Sequence, residues 1–165
     1  MAGVKVDIKV NNPKVSKFKV GGKTLADAKK ALDARDEWGL YDSTQNFKSG
    51  AQTDKDGNVT TVTMVINPVI ELPEWSGYGA ATKEQKASWD DMAKKLEAHE
   101  RRHHDIQVDC ADTLTKEIKK AKTLDAKGLN KIISDQKDAC QKKQDDYDTR
   151  SGHGAKEGVE LDLDA

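Results

Sequence analysis

Long apolar runs are missing from this 165-residue chain: no stretch approaches the ~20 residues needed to cross a bilayer, so no membrane span is expected. Aromatic residues are scarce, with three Trp, three Tyr and two Phe. A core with so few large side chains must be economical, and the 35% of residues that are charged give a highly solvated surface. Neither sign of charge prevails. With 28 basic against 29 acidic residues the net charge is −1, and no basic field points to a nucleic-acid partner. The local run Lys119-Lys120-Ala121-Lys122 is interleaved with acids and reads as a solvated helix face. Met1-Ala2-Gly3-Val4 carries no apolar leader, which leaves a cytosolic protein or an exported one in mature form as the expectations. The length suits one domain, residues 1–165, large enough to bury a core.

Present in the first half are short strands and one helix. Val4 to Val10 and Val15 to Val20 alternate apolar and polar residues, the period of half-buried strands. Thr24 is placed to cap a helix over Leu25 to Leu32. Trp38 to Phe47 reads as a strand, joined through the turn-rich Asp54-Lys55-Asp56-Gly57-Asn58 to the Val-, Ile- and Thr-rich Val59 to Leu72 as a hairpin. Pro68 should mark an edge or a bend, and Pro73 should end the strand.

The second half is helical. Thr82-Lys83-Glu84-Gln85 has the pattern of a capping box. An apolar stripe then runs through Trp89, Met92, Leu96, His99, His103, Ile106, Cys110, Leu114 and Ile118, which predicts one helix of about 40 residues. The pattern breaks around Thr123 to Gly128. A second stripe follows through Leu129, Ile132 or Ile133, Gln136, Cys140, Gln144 and Tyr147, after which periodicity is lost at Arg150 to Gly154 and the chain ends in a polar, acidic tail.

His99-Glu100-Arg101-Arg102-His103 is an HExxH sequence inside the first of these helices. Histidines four apart project from one helix face, so both rings can reach one Zn²⁺. The glutamate between them stands beside the metal, where it can deprotonate a water without being a ligand. Two imidazoles are not a catalytic site; a third protein ligand is required. Asp109 falls six residues after His103, but about 240° around the helix if the helix continues. No glutamate occurs between Ile118 and Lys156 to serve from a later helix. A hairpin turning near Leu124 to Ala126 instead brings the returning segment alongside. It sets Cys110 level with Cys140, at disulfide distance. It also sets His103 opposite Tyr147 to Arg150, and His99 opposite the neighbourhood of His153. His153 is therefore the first choice for the third ligand, ahead of Asp148 and then Asp109. Tyr147 is a candidate for stabilising an oxyanion, or else a core residue with its hydroxyl satisfied.

Several of these elements occur in a fixed order that resembles a bacterial family described as secreted zinc-dependent proteases, a domain family otherwise of unknown function. They are Val20-Gly21-Gly22-Lys23-Thr24, Leu72-Pro73-Glu74-Trp75, Trp89, the HExxH followed by Asp105-Ile106, and a closing Tyr147-Asp148-Thr149-Arg150-Ser151-Gly152-His153-Gly154. The second glycine of the early element departs from the family pattern and touches no chemistry. The resemblance implies a secreted or periplasmic location and peptide-bond hydrolysis, and lends no particular substrate. An exported location agrees with a disulfide, which persists in oxidising compartments.

The expectation is an α+β, zincin-like domain: a small antiparallel or mixed N-terminal sheet with one helix, and a long antiparallel helix hairpin carrying HExxH. Zn²⁺ would be held by His99, His103 and His153, with Glu100 as general base and Tyr147 beside it. The substrate would be a peptide or protein, aligned by an edge strand within Val59 to Leu72. A non-catalytic metal-binding or interaction module on the same scaffold is the alternative.

Overall fold

The structure, a computed structural model, describes residues 3–165. Met1 and Ala2, half of the segment in which no leader is read, lie outside the described residues. The fold is mixed α+β, with two three-stranded mixed sheets and three α-helices among the described residues. The chain divides into two compact units, each woven from separate stretches. One comprises residues up to Pro13, Ser43–Pro68 and His104–Asp146; the other comprises Lys14–Asp42, Val69–His103 and Tyr147–Ala165.

In the first unit β1 (Lys5–Val10) runs parallel to β5 (Val59–Ile66), and β4 (Phe47–Thr53) runs antiparallel to β5 on its other side. β1 alternates exposed and half-buried residues as its sequence period requires. Asp54 organises the expected turn, its Oδ1 accepting from the backbone N–H of Asp56 and of Asn58. The strand that enters this turn is Phe47–Thr53, however, and not the Trp38 to Phe47 expected. Phe47-Lys48-Ser49-Gly50-Ala51-Gln52-Thr53 is exposed throughout and has little β propensity; the backbone ladder to β5 holds it as a strand. Val59 and Val62 of β5 are buried with Leu114, Ile118, Leu124 and Leu129. The last four come from α2 (Lys83–Lys120), from α3 (Ala126–Ser151) and from the turn between these helices. Asp125 starts α3 by accepting from the Gly128 N–H at 2.7 Å. Cys110 and Cys140 are joined by the expected disulfide, with Cα atoms 5.8 Å apart.

In the second unit β2 (Lys14–Val20) runs parallel to β6 (Val69–Trp75), and β3 (Leu40–Asp42) is antiparallel to β6. The segment Val59 to Leu72 is thus two strands broken at Asn67-Pro68. Each is the middle strand of its sheet, so neither offers the free edge expected of it. Pro73 does not end β6. It pairs in register with Phe18, but β3 covers only Val69 to Glu71, so Pro73 stands beyond that ladder where a missing N–H is tolerated. α1 (Leu25–Asp33) begins at Thr24, whose hydroxyl accepts from Asp27 N–H while the Asp27 carboxylate accepts from Thr24 N–H in return.

Thr82 and Gln85 form the same reciprocal box at the start of α2. From there Trp89, Met92 and Leu96 enter a core with Leu25, Ala28 and Leu32 of α1 and with Val20, Ile70, Leu72 and Trp75 of the sheet. The polar, acidic C-terminal tail also carries two apolar anchors. Val159 and Leu161 complete this core, and Ser88 Oγ accepts from Asp162 N–H at 2.8 Å.

Every shielded residue of α3 between Leu129 and Tyr147 lies on the stripe read from the sequence, and the rest of that stretch is exposed. The disulfide pins this otherwise thin helix contact by closing a separation of 30 residues, which is worth about 3.6 kcal/mol through the entropy of the unfolded chain. Cys110→Ser with Cys140→Ser should lower stability by that order. Equilibrium urea unfolding measures it, and an unchanged midpoint would show that helix packing alone suffices.

Candidate metal centre

α2 carries no glycine or proline, so nothing breaks the face on which His99 and His103 stand one turn apart. Both are buried, at 4% and 7% exposure, with ring centroids 4.9 Å apart and planes nearly perpendicular. Their Nε2 atoms converge on a single oxygen. Asp148 Oδ1, from the last turns of α3, lies 3.2 Å from His99 Nε2 and 2.8 Å from His103 Nε2. Glu100 is 3% exposed, and one of its carboxylate oxygens lies within 4.8 Å of a nitrogen from each histidine.

Two tyrosines flank the pair. The Tyr147 ring stacks on His99 at 4.9 Å and meets His103 edge-on at 5.0 Å, while Tyr41 of β3 stacks on His103 at 6.5 Å. Glu157 closes the far side of His99. Its Oε1 lies 2.7 Å from His99 Nδ1, and its Oε2 accepts the Tyr147 hydroxyl at 2.7 Å. Burial tends to raise the Glu157 carboxyl, but these bonds from Tyr147 and His99 hold it below its ordinary value.

The residues anticipated as ligands thus separate. Asp148, the second choice, is the group in contact with both imidazoles. His153, the first choice, is exposed and sits on another side of Asp148, where His153, Glu37 and Asp148 each bring a donor atom within 4.8 Å of the others. α3 accounts for the difference. It runs on to Ser151, so Asp148 is presented from helix, whereas His153 lies past the helix end with φ 54°. Asp109 is exposed on α2. The Tyr147 hydroxyl, a candidate for an oxyanion, is committed to Glu157.

Sequence reasoning misses Glu37 and Glu157. Glu157 lies just past the window searched for a later glutamate, and Glu37 stands in a loop without periodicity. A Cβ on Gly39 would lie 3.0 Å from Glu100 Oε1 and 3.1 Å from Leu96 Cδ1, so a side chain there would crowd that carboxylate.

A cavity of about 370 Å³ opens onto this cluster, with Glu37, Glu100, His99, Asp148 and His153 among its walls. Two nitrogens and a carboxylate oxygen from rigid helices suit zinc, which takes His and Asp together in tetrahedral sites. The residues present therefore fit such an ion. Burial, then the carboxylates of Glu37 and Asp148, push Glu100 up to about 8.

Comparison with known proteins adds a family to this geometry. The chain belongs to the bacterial family of proteins of unknown function DUF922. The match spans residues 15–154, which takes in His99, Glu100, His103, Asp148 and His153 and stops short of Glu157. No curated protein and no solved structure matches the chain. Membership in DUF922 thus supplies a bacterial family and no activity.

The Glu100 environment predicts a pH dependence in this DUF922 protein when freed of metal by a chelator. The carboxyl titrates near 8 when folded and near 4.5 when unfolded, so between those values the folded state binds more protons. Stability should therefore fall as pH rises from about 4.5 to about 8, by at most about 1.4 kcal/mol for each pH unit crossed. Thermal unfolding at pH 5 and pH 8 reads this, and Glu100→Gln should flatten the difference. An equal fall in the variant would assign it to other groups.

Proposed function

We propose that this protein is a zinc-dependent peptide hydrolase, with His99, His103 and Asp148 as metal ligands and Glu100 as general base. The observation that carries this reading is the convergence of two buried imidazole Nε2 atoms on Asp148 Oδ1, with a buried glutamate and an open cavity beside them. A bound Zn²⁺ supplies Lewis acidity, polarising a carbonyl and lowering the pKa of a water.

The chain's own groups do the rest. Glu100 accepts the proton of the attacking water and delivers it to the leaving amine, a role that suits a carboxyl whose proton affinity burial has raised. A bound dication would draw that affinity down towards neutrality or below, leaving Glu100 ionised as a base requires. His153, exposed on the cavity wall, takes the part first considered for Tyr147: it donates to the oxygen that gains charge at the scissile carbonyl. Tyr147 shields His99 and His103 from water with its ring. The short strand β3, at one edge of its sheet and flanking His103 through Tyr41, is the strand on which an extended peptide would align. The disulfide favours an oxidising compartment, secreted or periplasmic, and no helix among the described residues is long and apolar enough to cross a membrane.

Metal analysis of the purified protein should find one zinc per chain, and a protein unable to take up zinc would overturn the ligand assignment. Glu100→Gln should retain the metal and lose peptide hydrolysis by about 10²-fold or more, read on a fluorogenic peptide library. A wild-type protein that holds zinc and cleaves nothing in that library would instead be the metal-binding module of the rival reading.

A further inference from the structure

Glu157 holds no place in the proposed coordination, yet both its oxygens are committed within the site. It sits in the short 3-10 turn Ala155–Glu157, between Gly154 at φ 94° and Gly158 at φ 86°. Backbone bonds close the turn: Glu157 N–H donates to Gly154 O at 2.9 Å, and Val159 N–H donates to the same oxygen at 3.1 Å. Val159 and Leu161 then anchor the last residues of the chain in the core. Gly154 is indispensable to this seating. Its φ lies in the left-handed region, and a Cβ there would lie 2.9 Å from Val159 Cγ2, closer than real Cβ contacts come, so glycine is what seats the turn against the core. A side chain that is 38% exposed is thereby held in one place from both ends.

We infer that Glu157 is the positioning residue of the metal centre: it accepts the His99 Nδ1–H and so fixes His99 with its Nε2 lone pair directed at the metal. The inference rests on the zinc reading. An imidazole that binds a metal through Nε2 must keep its proton on Nδ1, and an acceptor there both selects that tautomer and stops the ring from rotating. Glu157 Oε1, 2.7 Å from Nδ1, is that acceptor. Tyr147 makes the arrangement a relay, because its hydroxyl holds Oε2 while its ring lies along His99 at 23°. The carboxylate then cannot swing away, nor the imidazole turn beneath it. Glu157 orients one ligand of the three, so its loss should leave the site weakened and not abolished.

The full-length protein tests this through zinc affinity, measured by competition with a chromophoric chelator. Glu157→Ala should weaken zinc binding by about 10- to 100-fold, the usual cost of removing such a partner. Glu157→Gln keeps an acceptor oxygen without the charge and should recover part of the loss. Tyr147→Phe, which leaves the acceptor but frees it to move, should fall between wild type and Glu157→Ala. Zinc affinities equal to wild type in both Glu157 variants would overturn the inference. A second readout needs no metal. The His99 Nδ1–H proton should be visible and slowly exchanging by NMR in chelator-treated wild type, and lost in Glu157→Ala with other amide shifts kept. Failure of that signal to depend on Glu157 sinks the positioning role, whereas failure of wild type to bind zinc sinks the metal reading alone.

Discussion

Two imidazole nitrogens and one carboxylate oxygen meeting within 3.2 Å is the constraint around which the second unit is organised. It joins α2, which runs through the core, to the final turns of α3. Both helices must keep their register for the contact to exist. On α2 that register is set by Trp89, Met92 and Leu96, which are buried against α1 and the sheet one to three turns before His99. On the α3 side it is set by Tyr147, buried at 5% exposure, and by the C-terminal tail. A slip of one residue in either helix turns its donor by about 100° and disperses the cluster. The packing of ordinary apolar side chains is therefore what gives the polar centre its geometry.

The electrostatics carry a cost that the architecture concentrates in one place. Glu37, Glu100 and Asp148 bring three carboxyls to one cavity, and Glu100 has almost no water to solvate a charge. Such crowding is unfavourable without a cation, as the upward displacement of Glu100 records. Glu157 experiences the opposite balance, since two donors face it and it is partly open to solvent. Of two glutamates near the same histidine, one has its proton affinity raised and the other lowered. Environment alone separates them.

Much of this is legible in residue spacing, and the exceptions have physical reasons. The helix stripes, the cap at Thr24, the capping box at Thr82, the turn at Asp54 and the cysteine pairing all follow from local periodicity or from simple counting along a hairpin. The same counting locates the third partner only to within a few residues. It brings Tyr147 to His153 to the right level, but it cannot tell that α3 continues to Ser151, which favours Asp148 over the histidine beyond. Strand β4 escapes it because its side chains carry no pattern; only the partner strand makes it β. Glu37 and Glu157 are invisible for a related reason. Each reaches the site from irregular backbone, where position depends on φ angles and close approaches such as those at Gly39 and Gly154, and these leave no period in the sequence.

The choice between a catalyst and a passive metal holder turns on what surrounds the three converging donors. A structural zinc site closes its sphere with four protein ligands, because an open position gains it nothing. Here the fourth neighbour is Glu100, whose burial beside two other carboxyls is costly. Gly39 stands close by, where a Cβ would crowd that carboxylate. A fully ligating Glu100 would explain the burial, but it would leave the 370 Å³ cavity and the histidine on its wall without a purpose. A base standing next to an open coordination position explains all three at once. On the proposed reading, the crowded carboxyl and the cavity beside it both have a use that a closed metal-binding module would not give them.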